Sequence, residues 1–426
     1  MSWFAILRLG VINAALGAVV ALVTFTLNRV MTVELALPAI VPGLLVALHY
    51  AVQLLRPRFG FGGDSTGRRT PWIAGGLAVL CAGGALSALA VALMGTHRLA
   101  GLALAIPAYG LVGAGVGAVG TSSLALIAAQ VAPARRASAA TSFWLLMIVG
   151  AVLTAGLCAA LLHPFSLVTL LRVSTGIAAA AFLIGLAALT GIETTATPGR
   201  AIDRETFRTA LAKTWREPDS RRFALFVFVS MLAYSAQELI LEPFAGAVFA
   251  LSPSQSAALT GLHQGGVLSG MLLVAIVGSL AGAGRPGTMR RLTIGGCAAS
   301  ALCLACLACA GLVGPAWPLR ASLFALGVAN GAFAVSAIGA MLGLAGRGRA
   351  GLRMGVWGAA QAIAMGLGGL LGTGLSDVAR LSLGTPGAAY AAVFLGQAAL
   401  FLIAARLAGG VFHDAAPRGL TLTATA

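Results

Sequence analysis

Few residues in this 426-residue chain can do chemistry, and most of those lie inside apolar runs. The densest group is Tyr234-Ser235-Ala236-Gln237-Glu238-Leu239-Ile240-Leu241-Glu242-Pro243. Glu238 and Glu242 are four residues apart, so a helix puts both carboxylates on one face. Pro243 would end or kink that helix. A carboxylate in such a run can carry a proton or pair with a cation. The matching stretch near the N-terminus is Thr26-Leu27-Asn28-Arg29, followed by Glu34. One expectation pairs Arg29 with Glu238 or Glu242; the other leaves them as ordinary interfacial residues. His49 and His263 carry imidazoles that can bind a metal or hydrogen-bond between helices. Gln53, Gln264, Asn330, Gln361 and Asp377 are weaker candidates. Cys303, Cys306 and Cys309 imitate an iron–sulfur run. They lie in an apolar helix with no nearby fourth ligand, so packing is the better reading. No nucleotide loop, zinc motif or Ser/His/Asp set is visible. The chain is therefore expected to have no catalytic residues, no bound metal and no enzymatic role.

The elements that hold these groups follow from composition. The chain is 59% apolar and 9% charged, with a mean hydropathy of +0.98. A soluble protein could not hide so much apolar surface. Apolar runs of about 20 residues recur, each long enough to cross a bilayer, and no alternating strands suggest a barrel. The expected fold is an all-α polytopic membrane protein of twelve transmembrane helices in two six-helix bundles. The spans are near 9–27, 37–55, 72–94, 102–129, 140–162, 167–190, 223–243, 256–281, 292–313, 321–345, 355–379 and 388–408. The first follows Arg8 and imitates a signal peptide, but it has full span length and no small-residue cleavage site.

Residues 191–222 form the long polar segment, so the expected organisation is a bundle over 1–190, a linker over 191–222, a bundle over 223–409 and a tail over 410–426. Within the linker, 202–216 suits a short surface helix capped by Asp203, with Trp215 at the membrane interface. The net charge of +16 does not imply nucleic acid, because the basic residues cluster in loops at alternate span ends without interleaved aromatics. Arg8, Arg56, Arg58, Arg68, Arg69, Arg135, Arg136, the linker and most later arginines fall on one side. That bias places both termini and the linker in the cytoplasm.

Between the second and third spans lies Gly60-Phe61-Gly62-Gly63-Asp64-Ser65-Thr66-Gly67-Arg68-Arg69-Thr70-Pro71. Its glycines suit a tight turn, and Pro71 suits the first turn of the next helix. Asp64 is placed to face that helix's positive end, with Arg68 and Arg69 among lipid headgroups. The pattern resembles the loop between helices 2 and 3 of the major facilitator superfamily, with Ser65 where that family has a basic residue. The halves also echo each other. Arg136 and Trp144 recur as Arg349 and Trp357, an offset of 213, and His49 recurs as His263, an offset of 214. Such a repeat points to duplication, though a fold does not give a function.

Five stretches narrow the resemblance. They are Leu27-Asn28-Arg29-Val30-Met31-Thr32-Val33-Glu34-Leu35, Gly43 to Tyr50, Arg68-Arg69-Thr70-Pro71-Trp72, Gln237 to Pro243, and Gly355-Val356-Trp357-Gly358-Ala359-Ala360-Gln361. Together they resemble the PucC/LhaA-like bacteriochlorophyll-delivery family of that superfamily, from about residue 8 to 405. The resemblance implies delivery of bacteriochlorophyll and assembly of light-harvesting complexes in a bacterial inner membrane, cytoplasmic or intracytoplasmic. The implied partners are the light-harvesting polypeptides, chlorophyll synthase and the membrane insertion machinery. Bacteriochlorophyll would be cargo, entering laterally, with His49 or His263 as candidate ligands to its magnesium. Gly113, Gly117, Gly366 and Gly369 would allow close helix packing or leave room for a flat ring. Two alternatives stay open: a proton-coupled porter of a small solute using Glu238, and a non-transporting scaffold. If Arg29 and Glu238 pair, Arg29→Gln and Glu238→Gln will couple by about 0.5–3 kcal/mol in a double-mutant cycle on activity; additive losses would remove the pairing.

Overall fold

The computed structural model describes residues 1–28, 30–35, 37, 40–132, 135–162, 165–193, 206–238, 240–251, 253–280, 286–344 and 349–411. Among them there is no strand, and nine helices are long and apolar enough to cross a membrane. The expected second, seventh and eleventh spans are not among those nine. The second and seventh correspond to helices broken into segments, and the eleventh to a helix of 34 residues.

Helix α1 spans Trp3–Ala21, starting earlier than expected because the Ser2 hydroxyl accepts from Ala5 N and caps it. It runs on into π-helical turns at Leu22–Leu27 and Val30–Glu34. Helices α2 (Ile40–Val52) and α3 (Arg56–Ser65) are joined by a 3-10 turn at Gln53–Leu55. The expected turn over 60–71 is thereby corrected. Pro57 sits in the first turn of α3 and restarts the helix, so the reversal shrinks to the few residues around Gly67, whose φ is +65°. Then follow α4 (Thr70–Met94), with Pro71 in its first turn, α5 (Arg98–Gln130), α6 (Arg136–Leu161) and α7 (Leu167–Leu189).

Helix α8 (Phe207–Arg216) is the expected surface helix, shorter than expected and capped by Thr206, whose hydroxyl accepts from Thr209 N. Asp203 lies outside the described residues. Phe207 packs edge-on against Phe61, and the Arg58 guanidinium lies over the Phe207 ring, which docks α8 on α3. Trp215 stays exposed. The expected span 223–243 is divided into α9 (Pro218–Glu238) and α10 (Leu241–Phe249). Pro243 follows that interruption closely, in keeping with the end or kink expected there. It falls in the first turn of α10, where a missing N–H costs no intrahelical bond. The chain continues as α11 (Pro253–Leu280), α12 (Pro286–Val313), α13 (Leu319–Leu344), α14 (Ala350–Leu383) and α15 (Pro386–Val411).

In the first half, α1 packs on α6 and α7, and α4 on α5 and α7. In the second, α12 packs on α13 and α15, α11 on α13, and α9 on α14 and α15. The halves meet where α14 lies against α2, α3 and α5, and where α6 meets α11 and α13. Apolar side chains such as Leu153, Ile184, Leu302 and Leu402 point outward, as a hydrocarbon solvent permits.

Close helix contacts reproduce the repeat. A Cβ on Gly113 of α5 would lie 2.3 Å from the His49 carbonyl of α2. A Cβ on Gly327 of α13 would lie 2.2 Å from the His263 carbonyl of α11. Both contacts recur at the offset of 214 found for the histidines. Gly113→Ala and Gly327→Ala should each therefore cost about 1–3 kcal/mol through overpacking. Gly110→Ala, where a Cβ meets nothing within 4 Å, is the control. Thermal unfolding in detergent checks this, and equal midpoints for all three variants would refute it.

Candidate functional site

The first cluster joins the halves at the arginine-rich side. The first N–H groups of a helix have no partner of their own. At the start of α14, Gly351 N donates to Asp64 Oδ1 at 3.0 Å and Leu352 N to Oδ2 at 2.9 Å. Arg69 Nη2 donates to Oδ1 at 2.9 Å, and both side chains are buried. Burial pushes the Asp64 carboxyl up, against the pull of the Leu352 N–H, Arg69 and the Gly351 N–H. This corrects two expectations: Asp64 faces the end of α14, not of α4, and Arg69 is buried rather than among headgroups. Arg68 is exposed. The end of α4 is taken by Glu193, which accepts from Arg69 N, Thr70 N and the Thr70 hydroxyl. Gly60 serves close approach rather than a turn, because its Cβ would fall 1.8 Å from the Gly351 carbonyl.

A second tie runs through Arg136. Its guanidinium donates to the Val131, Ala128 and Leu342 carbonyls, at 3.1, 3.0 and 3.0 Å. It thus meets unsatisfied carbonyls at the ends of both α5 and α13. On α14, Arg353 pairs with Glu217 at 2.8 Å, and Trp357 Nε1 donates to the Ser220 carbonyl.

The histidines belong to separate polar clusters. His49 is buried, its Nε2 lies 3.0 Å from Gln53 Nε2, and Arg56 Nη2 donates to Gln53 Oε1. His263 is also buried, with Nε2 3.4 Å from Asn330 Nδ2, while Ser300 donates to Asn330 Oδ1 at 2.9 Å. His263, Ser300 and Asn330 thereby link α11, α12 and α13. Gln53 and Asn330 are thus partners of the histidines. Gln361 Nε2 lies 3.8 Å from Met231 Sδ, and Gln264 is exposed. Gly117 lies against Phe59 and Arg56, while a Cβ on Gly366 would meet only Tyr50 at 3.9 Å. The surroundings of Gly369 lie outside the described residues.

At the opposite end of the spans, Arg29 and the side chains of Glu238, Glu242 and Asp377 lie outside the described residues. Asn28 is partly buried and Glu34 exposed. Gln237 is fully buried, with neither amide atom hydrogen-bonded among the described residues. The π-helical turn before Asn28 leaves the Val23 carbonyl to accept from Tyr109 OH at 3.3 Å. Such turns concentrate at functional sites. No group of three or more metal-ligating side chains occurs among the described residues.

Glu193 and Arg56 enter the sequence only as charges, and Arg136 only as a charge and a member of the repeat. For Arg56 the signal was present, since 49, 53 and 56 share one helical face. For Glu193 no spacing signal exists, because its partners lie 123 or more residues away; for Arg136 the acceptor in the other half, Leu342, lies 206 residues away.

Two packed halves of membrane-spanning helices, with the glycine-rich helix α3 holding them together at one end, define a major facilitator fold. The chain matches a bacterial homologue of the iron transporter ferroportin in its outward-facing state with a TM-score of 0.73. The identity is 16%, over 97% of this chain and 99% of that one. It also matches the transporter FucP in its outward conformation, with a TM-score of 0.69 and 16% identity over 95% and 98% of the two chains. Within that class, the chain belongs to the PUCC protein family, whose model matches residues 26–416. It is 45% identical over 421 residues to the bacteriochlorophyll synthase 44.5 kDa chain of Rhodobacter capsulatus, covering 96% of each. It is 30% identical to Protein PucC of Cereibacter sphaeroides, covering 93% of this chain and 90% of that one.

Removing the Asp64 charge would leave Arg69 buried and unpaired. Asp64→Asn should cost about 3–5 kcal/mol and raise thiol labelling of a cysteine placed at Ser65. Ser166→Ala, which removes the cap on the Thr169 N–H of α7, should cost about 1 kcal/mol without that labelling. Equal labelling of the two variants would show that Asp64 does not hold the halves together.

Proposed function

We propose that this chain handles bacteriochlorophyll within the membrane and passes it to the small polypeptides of light-harvesting complexes as these assemble. The observation that carries the reading is the match along nearly the whole chain to a protein named for bacteriochlorophyll synthesis, on a fold shared with transporters. The pigment is cargo and the chain itself is not a catalyst. The implied partners are the light-harvesting polypeptides, chlorophyll synthase and the membrane insertion machinery. The location is a bacterial inner membrane with both termini cytoplasmic, following the arginine bias. Domains over 1–190 and 223–409, joined by 191–222, suit this role.

A pigment with a long lipid tail need not pass through water. Lateral entry between helices brings it to the contact of α2, α5 and α14, where a Cβ on Gly366 would touch only Tyr50, at 3.9 Å. His49 lies at that level of α2, but Gln53 occupies its Nε2. Ligation of magnesium there requires that hydrogen bond to open. Backbone carbonyls and His263 are the other candidate ligands. At the far end, Arg29 with Glu238 or Glu242 forms the candidate gate.

A second reading, a proton-coupled porter, is favoured by the likeness to FucP, a fucose:proton symporter. The absorption spectrum of the protein purified in detergent from a pigment-producing host separates the two. The wild type should retain a bacteriochlorophyll band, and His49→Leu should weaken it. A band of equal strength in both would discard His49 as a site residue. No band in the wild type would count against pigment handling and for the porter.

A further inference from the structure

The hydrogen bonds on one face of the second span fix the polarity of each side chain. A guanidinium only donates, so the contact from Arg56 Nη2 turns the Gln53 oxygen toward Arg56. The Gln53 NH2 then faces His49 Nε2, 3.0 Å away, and can only donate to it. A neutral imidazole that accepts at Nε2 carries its proton on Nδ1. Among the described residues, His49 Nδ1 is buried without a hydrogen-bond partner, and so is Arg56 Nε. The row's unsatisfied nitrogens are therefore both donors.

No carboxylate pairs with Arg56 among the described residues, although a buried cation without a counter-charge is costly. Two helices are trimmed to make room for it. A Cβ on Gly117 of α5 would lie 3.3 Å from Arg56 Cγ, and one on Gly358 of α14 would lie 2.6 Å from Arg56 Nη1. Gln53 is buried, while Arg56 keeps partial exposure. A packing residue at this place would be apolar; a guanidinium held by a buried amide, with no carboxylate beside it among the described residues, suits an anion from outside the chain.

We propose that Arg56, oriented by Gln53, binds an oxyanion carried on an apolar body: the carboxylate or phosphate of an amphiphile lying between α2, α5 and α14. His49 Nδ1–H supplies a second donor about 10 Å deeper along the helix, for a neutral acceptor on the ligand's body. The planar fork of arginine suits a two-oxygen anion better than a lysine would. The site stands without the pigment reading. Where that reading also holds, the pigment form with a free propionate is preferred over its ester.

The test uses the full chain, purified in a non-ionic detergent, and two acid–ester pairs. One pair is bacteriochlorophyllide a and bacteriochlorophyll a; the other is palmitate and methyl palmitate. Each acid should bind at least about tenfold tighter than its ester, the worth of one charge-assisted hydrogen bond. Arg56→Gln should abolish that preference. Arg56→Lys, a milder change that keeps the charge but not the fork, should retain part of it. Competition by phosphatidylglycerol that depends on Arg56 would assign the anion to a lipid headgroup, and no competition would assign it to the cargo. Equal binding of acid and ester, a preference that survives Arg56→Gln, or no binding of either acid would overturn the proposal. A palmitate preference without any pigment binding would keep the oxyanion site and overturn the pigment reading alone.

Discussion

The first two backbone N–H groups that matter in α14, those of Gly351 and Leu352, have no acceptor in their own helix, and a carboxylate from the other half of the chain takes both. The seating of Asp64 on that helix end sets much of what surrounds it. The helices must approach until backbone meets backbone, which requires glycine at 60, 351 and 355. The carboxylate is buried, so it needs Arg69 beside it. Arg69 in turn must be held, and Glu193 accepts from its backbone N–H while capping α4. About two turns earlier, the same approach of α3 to α14 carries Arg56 against Gly358. A helix, not a loop, is needed here, because only a rigid segment can aim both Asp64 and Arg56 at α14.

Two features link the ends of the spans to the repeat. The paired contacts of Gly113 with His49 and of Gly327 with His263 place equivalent helices at equal separations in each half. At the other side of the membrane, the first and seventh spans are both irregular. The first loosens into π-helical turns, and the seventh stops at Glu238 and resumes at Leu241. Irregular backbone inside a membrane is tolerated where it lines a cavity or is buried in protein. Both irregular segments adjoin the acidic and basic residues at 28–34 and 237–242.

The two histidines show how a repeat diverges. His263 joins Asn330 and Ser300 in a cluster that ties three helices of one half together. His49 joins Gln53 and Arg56 along one helical run, from α2 through the 3-10 turn into α3, that faces the other half. The first arrangement closes on itself through side chains. The second ends in a cation with no carboxylate beside it among the described residues, at the contact where the halves must part if anything is to enter.

Length, apolar runs and arginine bias were enough to read a polytopic helical membrane protein, because bilayer thickness and the cost of unpaired backbone in lipid act on local sequence. The five family stretches were likewise legible, and the match over residues 26–416 agrees with them. The sequence also held the histidine repeat, since an offset can be counted without coordinates. It misplaced the turn over 60–71, because a proline such as Pro57, which starts helix α3, looks like a loop residue until the next turn is known. The partner of Asp64 lies 287 residues away along the chain, and the third acceptor of Arg136 lies 206 away. No local pattern encodes such distances. The tertiary structure decided which helix end receives a carboxylate and which guanidinium, among the described residues, has none beside it, because both depend on helices brought together from opposite halves of the chain.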